Sequence, residues 1–179
     1  MSQMNRSLRL ALPLLCCLAL LALAAPGEAQ QWAVYFSPHG GGTEAIVTAV
    51  SQARTSIHVQ AYSFSARPII QAIIAAHARG VRVEVILDQS QQRERLSGLA
   101  ALLAAGVPTW LDAAHQIAHN KVMIIDDETV ITGSFNFTRS AEEHNAENLL
   151  VVHDQALAGR YEANFQSHLA HSRPGAASN

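Results

Sequence analysis

One lysine occurs in this chain, Lys121, and it stands in the run His119-Asn120-Lys121-Val122-Met123-Ile124-Ile125-Asp126, an H-x-K-x-x-x-x-D pattern. The other basic residues are all arginines. Lysine is ordinarily a common residue, so a solitary one two positions from a histidine points to a specific task. Imidazole, with a reference pKa of about 6.5, is a neutral nucleophile near pH 7 without special activation. An ammonium beside it can neutralise the non-bridging oxygens of a phosphate as charge redistributes in the transition state. The pair therefore suggests attack at phosphorus by His119, with Lys121 holding the anion.

Those residues need a strand to position them. Lys121 to Ile125 is apolar and β-branched enough for a buried strand, and Thr129 to Thr132 reads as a second. Asp126-Asp127-Glu128 between them is the expected hairpin turn. Side chains two apart share a strand face at roughly 6.6 Å, so His119 and Lys121 can flank one small anion. With Asp127-Glu128 as a two-residue loop, the register opposes Lys121 to Ser134 and His119 to Asn136. Ser134, Asn136 and Lys121 would then form one electrostatic clamp. Asp-Glu lacks the glycine of the best two-residue turns, and a slip of one residue would scatter the set. Protonating a leaving alkoxide needs a second acid, from another histidine of this chain or from a second copy of it.

Followed by Gly133-Ser134-Phe135-Asn136-Phe137-Thr138 and then Asn145-Ala146-Glu147-Asn148, the run resembles the signature of the phospholipase D superfamily. In length and order the chain is similar to the small secreted bacterial endonucleases of that superfamily, which carry one motif copy per chain. Similarity extends from about Trp32 to about His168. The resemblance implies a symmetric homodimer in which two motif copies meet, one histidine forming a phosphohistidine while its partner acts as general acid and then activates water. It also implies that Lys121 and Asn136 bind phosphate, that Ser134 supports them, and that Glu147 orients a His119 ring. Asp126, far from His119 in the expected hairpin, reads as a turn or interface brace. The implied mechanism uses no metal and no cofactor.

Other constellations are weaker. His115-x-x-x-His119 has the i, i+4 spacing of some zinc pairs, but there is no H-E-x-x-H and no third ligand at suitable spacing. His39-Gly40-Gly41-Gly42 before a helix could cradle an anion, but without a G-x-S-x-G elbow it reads as a flexible turn capped by Thr43. His168 and His171, near the polar end, are expected to be solvated.

Composition bounds the partners. Arg6 and Arg9, an apolar core from Leu10 to Ala25, and Gly27-Glu28-Ala29 form the pattern of a secretory signal peptide over residues 1–29. The expected location is periplasmic or secreted, without stable membrane association after cleavage. Both cysteines, Cys16 and Cys17, fall in that leader, so no disulfide framework is expected in the mature chain. The formal charge of the whole chain is −2, unlike a strong nonspecific DNA binder. A local groove can still be basic on an acidic protein, and Arg93, Arg95 and Arg139 are the residues expected to line one. The leading reading is a metal-independent phosphodiesterase cleaving DNA or RNA as a homodimer. A lipid phosphodiesterase ranks second, since no long amphipathic or basic helix is evident for docking. A non-catalytic phosphate-binding module ranks third.

The periodicity predicts one α/β domain over residues 30–171, a mixed β-sheet flanked by helices in a phospholipase D-like arrangement. Strands are expected at Trp32 to Phe36, Ser56 to Ala61, Val81 to Leu87, Val107 to Leu111 and Asn148 to Val152, besides the motif hairpin. Helices are expected at Glu44 to Ala53, Pro68 to Arg79, Arg93 to Ala105 and Ala156 to His168. The opening elements suggest a right-handed βαβαβ unit. Residues 172–179 read as a disordered tail.

Overall fold

The computed structural model describes residues 31–176. The expected leader, with Cys16 and Cys17, lies outside the described residues. Strand β1 (Trp32–Phe36) leads to helix α1 (Gly42–Gln52), β2 (Ser56–Ala61), α2 (Arg67–Ala78) and β3 (Arg82–Asp88). After a 3-10 turn at Gln89–Gln92 come α3 (Leu99–Ala104), β4 (Thr109–Asp112), β5 (Lys121–Ile125), β6 (Thr129–Gly133) and α4 (Arg139–Glu143). Strand β7 (Asn148–His153), α5 (Gln155–His171) and β8 (Arg173–Pro174) complete the domain. The strands form one eight-stranded sheet in the order β1-β7-β6-β5-β2-β3-β4-β8.

Strand β2 is the pivot, parallel to β3 on one side and antiparallel to β5 on the other. All six of its residues are buried, as a strand covered on both faces requires. Alternation assigns the two faces. Met123 and Ile125 point into a large core with Ile46 and Val50 of α1, Ile69 and Ile73 of α2, and Leu102 of α3. Val122 and Ile124 point into a smaller core with Ala158 and Phe165 of α5. The smaller face also buries polar groups: His58 lies between Glu84 and Glu162 and stacks on Phe165 at 4.7 Å.

Four expectations need correction. Strand β1 does not lie beside β2; it runs antiparallel to β7 at the sheet edge, with three strands, β7 and the two of the motif hairpin, between it and β2. The helix expected from Arg93 forms only over Leu99–Ala104. Gly98 donates its N–H to the Phe64 carbonyl at 2.7 Å, and a Cβ there would meet Ile70 and Phe64 at 2.8–2.9 Å, which fixes the preceding segment as a turn. Within the expected disordered tail, Arg173 and Pro174 pair with β4, and Gly175 N–H binds the Thr109 carbonyl. These contacts give the backbone after α5 hydrogen-bonding partners that a solvated tail would lack. Thr43 does not cap α1. The Glu142 carboxylate accepts from the N–H groups of Gly41 (3.0 Å) and Thr43 (2.7 Å) and fills the place where a helix N-terminus would hold an anion.

Candidate active site

Lys121 begins β5 opposite Ala61, the last residue of β2, so the residues just beyond both strand ends meet. Tyr62 donates its N–H to the Asn120 carbonyl at 2.9 Å. Its ring packs 4.6 Å from the His119 imidazole. Lys121, only 7% exposed, places Nζ 3.0 Å from His119 Nδ1 and donates to the His119 carbonyl at 2.8 Å. The same Nζ lies 5.3 Å from the centre of the Tyr62 ring, within cation–π range. Burial lowers the Lys121 pKa, and the negative charge of Glu147 opposes that shift without cancelling it. His119 itself is exposed. Tyr62 escaped the sequence reading; the available signal was an aromatic residue directly after the strand that pairs with the motif strand.

The Gly-Ser-Phe-Asn segment is tied to the same end of the sheet. Phe137 bridges to Phe64 and meets it edge-on at 5.9 Å, and its carbonyl accepts the N–H groups of Ser65 and Ala66. This brings Asn136 alongside the exit of β2. The Asn136 side-chain Oδ1 is buried without a hydrogen-bond partner, a costly arrangement when nothing is bound. Turning that amide by 180° would present its NH2 at the same position as a donor.

The hairpin register differs by one residue from expectation. Val122 lies opposite Thr132 and Ile125 opposite Thr129, so Asp126, Asp127 and Glu128 form a three-residue loop. Asp126 and Asp127 both take left-handed backbone angles, with φ of 55° and 57°, which aspartate tolerates better than most residues. Ser134 therefore does not face Lys121. Its hydroxyl accepts the Asn148 N–H at 3.0 Å instead. At Gly133, φ is 151° and a Cβ would sit 2.2 Å from the Asn148 carbonyl oxygen, so the tight approach of β6 to β7 demands glycine.

The remaining candidates make their hydrogen bonds elsewhere or line the surroundings. Glu147 accepts from Asn145 Nδ2 at 3.0 Å; within this chain it is not hydrogen-bonded to the His119 ring, whose polar neighbour among the described residues is Lys121. Asp126 accepts from the backbone N–H groups of Arg54, Thr55 and Ser56 and from the Thr55 hydroxyl, tying the turn before β2 to the motif hairpin. Burial pushes its carboxyl up, but those hydrogen bonds outweigh it and leave the pKa lowered. Arg93 lines a cleft of about 310 Å³ with Tyr62, Asp88, Ser90, Glu94 and Ile117. Arg95 is exposed and is not among the residues lining that cleft. Arg139 is 81% exposed and paired with Glu143 at 2.6 Å.

A second polar cluster lies on the α5 side of the sheet. His168 and His171, expected to be solvated, close with His115 on the fully buried Asp112. Burial pushes the Asp112 carboxyl up, yet hydrogen bonds from His168, the Ala114 N–H, His171 and His115 hold it at about 2. The signal overlooked in the sequence is the pair of i, i+3 spacings, Asp112-x-x-His115 and His168-x-x-His171.

Residues 46–169 match the family model described as Cardiolipin synthase, PLD-like domain. A phospholipase D of Rickettsia conorii is 45% identical over 130 residues, covering 73% of this chain and 65% of that protein. The chain thus spans slightly less than two thirds of that relative. A mitochondrial cardiolipin hydrolase of Xenopus tropicalis is 32% identical over 115 residues, 64% of this chain and 55% of the relative. Among solved structures, Nuc from Salmonella typhimurium, described as a phospholipase D family member, superposes with a TM-score of 0.78 at 36% identity. That alignment covers 82% of this chain and 98% of Nuc.

Proposed function

The chain belongs to the phospholipase D superfamily through its PLD-like domain, and from that premise we propose that it is a phosphodiesterase whose preferred substrate is nucleic acid. The observation that carries the reading is the His119–Lys121 contact at the end of the sheet to which the Asn136 segment is also tied. A nucleophile, a cation and an amide donor at that end fit one phosphate group. Open access at the exposed His119 suits a polymer that must lie across the site, and Arg93 with Tyr62 supplies a cation and an aromatic face beside it.

The protonation state of His119 bears on the number of subunits. A leaving alkoxide takes its proton from an imidazolium, the ring protonated on both nitrogens. Attack requires the neutral ring, with a bare Nε2 and its Nδ1–H held by an acceptor. One ring cannot hold both states at once, so a homodimer with two His119 rings at one phosphate is the economical arrangement. In that dimer His119 Nε2 of one subunit forms the P–N bond as the P–O bond breaks. The partner subunit's His119 gives its proton to the leaving oxygen and then takes one from the water that cleaves the P–N bond. Glu147 is the nearby acceptor available to hold an Nδ1–H. Every atom and proton is accounted for without a metal.

The proposed compartment is the periplasm or the exterior, from the leader pattern. Among the described residues no helix is long and apolar enough to cross a membrane. A lipid substrate is the second reading. It is favoured by the exposed Ile117 in the Arg93 cleft and the exposed Leu96 on the segment that follows it, and by the chain's similarity to a phospholipase D of Rickettsia and a cardiolipin hydrolase of Xenopus.

Cleavage of plasmid DNA by the purified protein in excess EDTA, beside the His119→Ala variant, tests the proposal. Cleavage by the wild type alone supports it. Inert wild type that hydrolyses cardiolipin vesicles instead would replace nucleic acid with lipid as the substrate.

A further inference from the structure

Three imidazoles and one carboxylate converge where α5 crosses the end of β4. The His115 Nδ1, His168 Nδ1 and His171 Nε2 atoms lie 3.0, 2.8 and 3.3 Å from a single oxygen, Asp112 Oδ2. All four potential donor atoms lie within 4.8 Å of one another. In a tetrahedral zinc site with bonds of about 2.0–2.1 Å, neighbouring donors are separated by roughly 3.3 Å. The three distances to Asp112 Oδ2 are already close to that edge, and the remaining pairs need only a modest contraction.

The surroundings favour a cation over a plain hydrogen-bonded cluster. Three imidazoles compete for one oxygen, which as a carboxylate oxygen has two lone pairs. Their rings pack at 4.9–5.2 Å between centroids, so protonating all three would stack like charges. A divalent metal removes both difficulties, because it binds neutral imidazole lone pairs and neutralises the buried carboxylate. Asp112 Oδ1 accepts the Ala114 N–H at 3.0 Å and lies 3.2 Å from His115 Nδ1, so Oδ2 is the oxygen that all three imidazoles share and the one oriented for ligation.

We propose that Asp112, His115, His168 and His171 form a structural site for one zinc ion that staples the β4–β5 loop to α5. Nitrogen-rich donors select zinc, cobalt or nickel over magnesium or calcium, which prefer all-oxygen shells. Four protein ligands close the coordination sphere, as in structural rather than catalytic zinc sites. The ion would act at a distance from the chemistry: Asp112 points to the α5 side, whereas Lys121 shares the opposite face with Met123. What connects them is the chain itself, since the stapled loop carries His115 and runs on to His119.

The site is tested with full-length protein stripped of metal by chelator and titrated with Co²⁺ and Zn²⁺. One equivalent of Co²⁺ should bind with visible d–d absorption of tetrahedral intensity. Zn²⁺ should displace it with a Kd below roughly 1 µM and raise the thermal unfolding midpoint. His115 and His171 are both partly exposed, so the double variant His115→Ala/His171→Ala should fold yet lose the absorption and the midpoint shift. The His119→Ala protein should retain both. Absence of saturable binding, or binding that survives in the double variant, overturns the site. Either result is independent of whether the protein cleaves nucleic acid or lipid.

Discussion

The two ends of the His119 to Asp126 run are different kinds of place, although one short strand joins them. At the His119 end an imidazole stands exposed beside a buried ammonium, and an amide oxygen nearby has no partner. At the Asp126 end every strong contact is made: one carboxylate satisfies three consecutive backbone N–H groups and a hydroxyl. The first end is left incomplete where a substrate would complete it. The second is closed and fixes the turn between α1 and β2 to the motif hairpin. The run thus presents an exposed imidazole and a buried ammonium at one end and anchorage at the other, held in register by β5 between β2 and β6.

The largest expected effect falls at the reactive end. His119→Ala should lower turnover by at least roughly 10³-fold while the thermal midpoint stays near that of the wild type, measured by single-turnover cleavage and calorimetry. A variant that unfolds instead would move His119 to the structural side of the comparison. Lys121→Ala should cost about 10²- to 10³-fold in kcat. Lys121→Arg should fail to restore the rate, because a planar fork cannot take the place of a compact ammonium in a buried slot.

At the closed end the readouts should exchange. Asp126→Ala leaves the N–H groups of Arg54, Thr55 and Ser56 to water and should cost about 1–2 kcal/mol of stability, with activity per folded molecule retained in denaturant-free buffer. Loss of activity at full stability would erase the distinction drawn here. The pH dependence has a defined sign. The folded pKa of Asp126 is depressed from 3.8, so its contribution is present above that value and fades as pH falls through the lower folded pKa. Asp126→Asn should therefore flatten part of the acid limb of a stability profile taken by urea titration. The smallest effect belongs to Arg139, whose exposed pair with Glu143 should be worth less than about 0.5 kcal/mol; a large loss of substrate affinity in Arg139→Ala would extend the reactive end past α4.

Strand β2 and the bulk of the other strands were legible because buried strands are written in β-branched runs, and His119 with Lys121 was legible because their spacing is local. What the sequence did not disclose depended on single-residue choices or on distant partners. Nothing in Asp126-Asp127-Glu128 signals that two successive aspartates adopt left-handed angles, and that extra loop residue moved Ser134 away from Lys121 toward Asn148. Glu142 serves a helix about a hundred residues earlier in the chain, a pairing with no local trace. The His168 and His171 spacing was visible, but Asp112 and His115 become their partners only once α5 folds across β4.

A chain with a single lysine, and that lysine in the site, is also a selectively addressable reagent. Within this sequence the amine-directed target among the side chains is Lys121. Burial lowers the Lys121 pKa, which raises the fraction of free amine near neutrality, while its narrow exposure makes access depend on what occupies the pocket. The yield of modified Lys121, counted by mass spectrometry, would report site occupancy by any phosphate compound directly, without a turnover assay.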